Sequence, residues 1–175
     1  MRRKMLVLSA ILLVSLAVGF ITGVSRLGPV NLSPRALRIA ERWTDRIGTL
    51  SDLAEEVADR TVPILNISST LPGEGANIGL DKAVRTAIRE QIKDALRERH
   101  VKWSLSKPRE LQNMQFTVVC STTLPIFVRV RYNANGYQVF EREWVLKLWI
   151  QLEVDADRGN VRNWSIDRRS SLTTP

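Results

Sequence analysis

Cysteine and histidine are nearly absent from this sequence, with one of each among 175 residues. A single cysteine, Cys120, excludes an internal disulfide, so the fold must depend on its apolar core. A single histidine, His100, excludes a metal site built from several imidazoles and a catalytic pair of histidines. The chain also lacks a complete catalytic motif. We therefore expect a protein that is not an enzyme and that needs no cofactor.

Acidic residues are absent from the first 30 positions, which contain Arg2, Arg3, Lys4 and Arg26. These four residues account for half of the formal net charge of +8, so the remainder of the chain is only mildly basic. A dedicated nucleic-acid-binding protein instead concentrates positive charge in a stripe on one face. The composition therefore argues against nucleic acid as the partner.

Charged residues are absent from positions 5–24. Twenty helical residues span about 30 Å, enough to cross the hydrocarbon core of a bilayer. The apolar run continues beyond Ser15-Leu16-Ala17, a candidate cleavage site, which favours an uncleaved anchor over a signal peptide. Basic residues at positions 2–4 predict a cytoplasmic N-terminus, with the main domain across the plasma membrane.

Small residues recur inside the predicted anchor at Ser15, Gly19 and Gly23. Their four-residue spacing places them on one helix face, where small side chains allow membrane helices to approach closely. We expect this face to contact another membrane helix, although glycine and serine are also common in spans that make no such contact. The predicted organisation is a cytoplasmic stub (1–4), a transmembrane anchor (5–24), a linker (25–33) and an extracytoplasmic domain (34–175).

The domain is expected to begin with two helices. Ser33-Pro34 provides an N-cap and a proline at the first helical position. Gly48 interrupts the apolar pattern between the two helices, and the second is expected to end before Pro63. Thr49 with Asp52 is predicted to cap the second helix. Apolar residues recur at alternating spacings of four and three, at Ala36, Ala40, Trp43, Ile47, Leu50, Ala54 and Val57. This seam either packs on the domain itself or contacts a partner, in which case Trp43, Ile47 and Leu50 are the candidate contacts.

A further helix is predicted from about Leu80 to Arg99, with a buried stripe of apolar residues. On its outer surface, basic residues at four-residue spacing run beside acidic ones. We predict a solvated, salt-bridged face with Glu90–Lys93 and Asp94–Arg97 pairs, in preference to an anion site. His100 follows the helix, where a cation suits the helix dipole.

After Val101 the apolar period changes to two, which predicts antiparallel strands. Short strands are expected near Val101–Leu105, Phe116–Cys120 and Ile126–Tyr132, and a long one from Phe140 to Val154, with Trp164 and Ile166 ending the sheet. A three-residue hairpin loop with Gly136 in the left-handed conformation pairs Val130 with Phe140, Ile126 with Trp144, and Arg129 with Glu141. A two-residue loop would instead pair Arg129 with Arg142, so we predict the three-residue loop.

Candidate sites in the sheet region have simple structural interpretations. Cys120 is expected to be a core residue. Glu141 and Glu143 share a strand face and could form an acid–base pair, but neighbouring arginines favour solvated pairing. Asp155–Asn160 is expected to be a turn, because it lacks the distal glutamate of a calcium-binding loop. Lys147 and Trp149 lie on the face opposite the core, where the tryptophan is either a candidate protein contact or is covered by the N-terminal helix.

Helices followed by a curved antiparallel sheet predict an α+β fold. Asn31-Leu32-Ser33 followed by Ala36-Leu37, and Leu124-Pro125-Ile126-Phe127-Val128 running toward Tyr132, resemble segments of one family. The chain resembles the DotI/IcmL (TraM) kind of inner-membrane subunit of type IV secretion and conjugation systems. This resemblance implies a cystatin-like or NTF2-like periplasmic domain.

The resemblance also implies a non-catalytic structural subunit that self-associates and docks to other membrane and envelope proteins, with no small-molecule substrate. The alternative is a membrane-tethered module that binds a small ligand in a cone between helix and sheet. A filled core favours the assembly subunit, whereas a deep open cone favours the ligand-binding module.

Overall fold

The computed structural model describes residues 32–71, 78–98, 101–111, 113–133 and 137–175. Its contacts divide the chain between Ser33 and Pro34, and Pro34–Pro175 forms one unit. The predicted stub, the anchor with Ser15, Gly19 and Gly23, and residues 25–31 of the linker lie outside the described residues. None of the helices in the described ranges is long and apolar enough to cross a membrane.

Helices precede the sheet along the chain. The described α-helices are α1 (Leu32–Thr49), α2 (Ser51–Thr61) and α3 (Ile78–Glu98), with short 3₁₀ helices at Val62–Ile64 and Ser68–Thr70. The strands are β1 (Ser104–Leu105), β2 (Arg109–Glu110), β3 (Gln115–Asn133), β4 (Tyr137–Asp155), β5 (Asn160–Ile166) and β6 (Ser171–Thr173). The α+β class, with helices packed on an antiparallel sheet, is confirmed.

A single extended residue separates α1 from α2. Leu50 has φ −106° and ψ 120°, so the helix breaks two residues after Gly48. The predicted cap is wrong: the Thr49 hydroxyl donates back to the carbonyl oxygens of Asp45 (3.1 Å) and Arg46 (3.2 Å). A threonine hydroxyl that bonds to the preceding turn is not available to cap the next helix. As predicted, α2 ends before Pro63.

Two 19-residue strands, β3 and β4, form the centre of the sheet and pair along their whole length. Their register aligns Val130 with Phe140, Ile126 with Trp144, and Arg129 with Glu141, which confirms the predicted pairing. The loop residues 134–136, including Gly136, lie outside the described residues. β1 and β2 pair with the outer edge of β3, and β5 and β6 pair with the outer edge of β4.

The sheet is longer than predicted at two places. The strands expected before and after Leu124-Pro125 are one continuous strand. The Phe127 N–H points away from β4 and donates to the Gln91 side chain at 3.0 Å. Pro125 lies two residues earlier and faces the same way, so its missing N–H removes no bond to β4. The sheet also continues past Ile166, because β6 pairs with Val145–Lys147.

The core lies between α3 and one face of the sheet. Most even-numbered residues of β3 and β4 are buried, including every even-numbered apolar residue of β4 from Phe140 to Val154. From α3 come Leu80, Val84, Ile88, Ile92 and Leu96, each at most 1% exposed. Side chains therefore fill the helix–sheet interface where a ligand-binding cone was the alternative expectation. The odd-numbered residues form the opposite, outer face of the sheet.

Candidate partner-binding surfaces

An open groove of about 580 Å³ lies on the outer face of the sheet. Its floor follows from the strand register, which places Ser121 opposite Trp149 and Thr123 opposite Lys147. The β1 side contributes Ser104, which pairs with Ser121, and Lys102. Two of the predicted partner contacts, Lys147 and Trp149, therefore lie together in a groove that crosses three strands.

Trp149 is half-buried, and the segment between β5 and β6 holds it in place. The Arg169 guanidinium lies 4.6 Å from the centre of the indole ring. Asp167 accepts two bonds from the Arg169 side chain, at 3.1 and 2.8 Å, and these bonds lower the pKa of the Asp167 carboxyl. The Trp149 backbone also bonds to Ser170 Oγ and to the Asp167 N–H. The segment between β5 and β6, and not the N-terminal helix, therefore covers part of this tryptophan.

Trp43 is half-buried against another tryptophan. Its ring centre lies 5.6 Å from that of Trp164 on β5, at an interplanar angle of 56°. The Arg60 guanidinium lies 4.2 Å from the Trp164 ring and donates to the Trp164 carbonyl oxygen at 3.1 Å. Much of Trp43 is therefore used to join α1 to β5, and only its exposed part remains for a partner.

Ile47 is fully buried, so its assignment as a partner contact is wrong for this domain. The seam that contains it packs inward, with Ala36, Ala40, Ala54 and Val57 also fully buried. Leu50 belongs to the same seam but is 42% exposed, because the extended backbone between α1 and α2 turns it outward. Of the candidate contacts on this seam, Leu50 is the most accessible.

Basic residues of α3 face acidic residues of α2. Glu55 of α2 lies within 3.8 Å of Arg89, Lys93 and Arg97, and Asp59 bonds to Arg89. The predicted Glu90–Lys93 pair is confirmed at 3.0 Å, but Arg97 pairs with Glu55 and not with Asp94 as predicted. The basic stripe of α3 therefore pairs with acidic residues of the neighbouring helix α2. Within it, Lys93 is only 8% exposed. We call these six residues the α2–α3 charge cluster: Glu55, Asp59, Arg89, Glu90, Lys93 and Arg97.

The charge cluster predicts a loss of stability in acid. Hydrogen bonds from Arg89 and Lys93 lower the pKa of Asp59 and Glu90 respectively. Their stabilising contribution is therefore complete above the unfolded pKa values and is lost as the pH falls through the lower folded values. We expect the urea midpoint to be flat above about pH 5 and to fall below it. The Asp59→Asn variant should reduce this acid dependence, and so should high salt, which screens exposed pairs. An unchanged profile in both cases would contradict a stabilising role for the cluster.

The remaining sequence candidates have structural roles. Cys120 is fully buried, as predicted, and burial raises the pKa of its thiol to about 12. Glu141 lies 3.9 Å from Arg129 on an exposed face, which supports solvated pairing. Asp155 caps its predicted turn by accepting the N–H groups of Asp157 and Arg158. The turn places Gly159 at φ +74°, a conformation that favours glycine.

Among the described residues, no group of three or more histidine, cysteine, aspartate or glutamate side chains is arranged to hold a metal ion. His100 lies outside the described residues.

Sequence reasoning missed the contribution of Lys102 to the outer groove. Alternation along β3 and β4 places Ser121, Thr123, Lys147 and Trp149 on one face, so those residues could be grouped from the hairpin register alone. Lys102 precedes a two-residue strand whose partner is far along the chain, and short apolar alternation does not specify such a partner.

Comparison of the chain with protein-family models, with curated proteins and with solved structures gave no match.

Proposed function

We propose that this protein is a non-catalytic assembly subunit of a membrane-spanning complex, in the manner of the secretion and conjugation subunits that the sequence resembles. In this proposal residues 5–24 anchor the chain in the inner membrane, with Ser15, Gly19 and Gly23 on a helix-packing face. The domain from residue 34 onward then lies in the periplasm and binds other envelope proteins, including further copies of itself.

The observation that carries the proposal is that only one of the two sheet faces is covered by helices. One face is covered by α3 over a filled core, whereas the other presents the outer groove with Lys147 and Trp149. Tryptophan is one of the residue types enriched among the hot spots of protein interfaces. The filled core favours this assembly role over a ligand-binding cone.

A second candidate is a tethered module that binds a small ligand. The outer groove supports it, because its volume lies within the range of about 300–1,000 Å³ that small-molecule sites occupy. The groove is not the cone between helix and sheet that was the alternative from the sequence, because it opens on the sheet face that the helices do not cover.

The proposed function is tested by purifying the full chain from its native membrane in mild detergent and determining particle mass and co-purifying proteins. A large particle with stoichiometric partners is expected. A lone monomer or dimer would overturn the assembly role and direct attention to small ligands.

Two variants then locate the partner contacts. Lys147→Glu and Leu50→Glu change exposed side chains, so each should keep the circular dichroism spectrum while reducing partner recovery. Arg38→Glu, on the exposed side of α1, is the matched control and should retain the partners. Full recovery with both test variants would show that these surfaces are not the contacts.

A further inference from the structure

The outer groove has an uneven charge. Ten residues line it, among them Lys102 and Lys147, and none of the ten carries a carboxylate. Asp167, in the segment between β5 and β6 near Trp149, is already paired with Arg169 at 2.8 Å. The groove therefore presents cations that no lining side chain neutralises, and the occupant that complements it is anionic.

The strand order separates the two lysines. Lys147 is on β4, and Lys102 precedes β1, with its carbonyl oxygen accepting the Thr122 hydroxyl of β3 at 3.1 Å. Because neighbouring strands lie about 4.8 Å apart, the two lysine backbones are roughly 10 Å apart across β3. Carboxylates on alternate residues of an extended chain are about 6.6 Å apart, within reach of two flexible lysine side chains.

Between the lysines the floor is suited to a peptide. Ser121 and Thr123 provide hydroxyl groups that can donate to or accept from a peptide backbone. Trp149 and Pro125 flank them with apolar surface, which an aliphatic side chain can cover. Cations, hydroxyl groups and apolar surface in one open groove match an extended segment that carries both acidic and apolar residues.

From this arrangement we infer that the outer groove binds a short, extended, acidic peptide segment of a partner protein. Lys102 and Lys147 pair with its carboxylates, and Trp149 covers an apolar side chain. The inference rests on the proposed assembly function and specifies the chemistry of the partner. Its binding is salt-dependent, because both lysines are exposed and their ion pairs are screened.

The test uses the full chain in mild detergent and a fluorescein-labelled synthetic peptide of alternating glutamate and valine, followed by fluorescence anisotropy. The peptide of alternating lysine and valine is the probe control. We expect the acidic peptide to bind and the basic one not to bind. The Lys102→Glu/Lys147→Glu double variant should weaken acidic-peptide binding by about tenfold or more, since it replaces both attractive pairs with repulsion.

A matched variant separates the groove from net charge. Arg38→Glu/Lys82→Glu makes the same change in total charge on exposed helical positions and should bind the acidic peptide like the wild type. Equal losses in the two double variants would overturn the groove assignment, and so would binding that the groove variant retains. If peptide binding disappears while the particle mass rises with protein concentration, a second copy of the chain occupies the groove. That result also overturns the inference.

The proposed function can fail separately. Native partners that co-purify with the wild type and also with the Lys102→Glu/Lys147→Glu variant would leave the assembly role intact and overturn the acidic-segment inference. A wild-type protein that purifies without partners would overturn the assembly role itself, whatever the anisotropy result.

Discussion

Replacing Trp144 with alanine is expected to lower the free energy of unfolding by about 3–5 kcal/mol. Trp144 is 2% exposed, lies opposite Ile126 in the sheet, and has its ring centre 6.1 Å from that of Phe140. Alanine would leave a cavity on the core face of β4 that the paired strands cannot close. Urea unfolding followed by circular dichroism measures the loss.

The indole nitrogen of Trp144 allows a finer expectation. Among the described residues, Trp144 Nε1 is buried and has no hydrogen-bond partner. Trp144→Phe removes that unsatisfied donor while keeping most of the aromatic surface, so we expect a loss well below that of Trp144→Ala. A loss as large as that of the alanine variant would mean that the N–H group has a partner.

Trp149→Ala is the matched control, because it removes the same residue type from the opposite face of the same strand. Trp149 is half-buried beneath the Arg169 guanidinium, and we expect its replacement to cost about 1 kcal/mol. Equal losses at the two positions would contradict the assignment of the two faces of β4.

The sheet was largely predictable because its buried face and its hairpin register follow from residues that are close together in the sequence. Alternating apolar residues identify the buried face, and the hairpin register then has one solution that pairs Val130 with Phe140 and Arg129 with Glu141. The uninterrupted path of β3 through Pro125 was not predictable. The path depends on whether the Pro125 nitrogen faces β4 or the opposite edge of β3. The elements that lie along those two edges are distant from Pro125 in the sequence.

The helical surfaces were less predictable, because their meaning depends on how helices pack. The basic stripe of α3 was expected to be solvated, with its acidic neighbours in the same helix as partners. The Glu90–Lys93 pair forms within α3 as expected, but Glu55 and Asp59 of α2 also pair with Arg89, across the contact between the helices. Sequence spacing identifies pairs within one helix, but it does not indicate which face of a second helix lies opposite.

The candidate contacts on the seam of α1 and α2 differ for a related reason. A heptad pattern is the same whether a helix packs on its own domain or on a partner. Only the structure separates Ile47, which is fully buried, from Leu50, which the extended backbone at the helix break exposes.

That difference predicts stability losses of different size for two similar substitutions. Ile47→Ala should lower the free energy of unfolding by about 2–5 kcal/mol, because it creates a cavity beneath α1. Leu50→Ala should change the free energy of unfolding by about 1 kcal/mol or less, because 42% of the side chain is already exposed. Urea unfolding of both variants under the same conditions provides the comparison.

The same two variants separate folding from assembly. Leu50→Ala should reduce recovery of partner proteins at nearly unchanged stability, whereas any loss of recovery with Ile47→Ala should follow the fraction of protein unfolded. If Ile47→Ala is as stable as the wild type, α1 does not pack on the domain through this seam. If Leu50→Ala retains every partner, the break between α1 and α2 is only a structural joint, and the outer groove is left as the candidate contact.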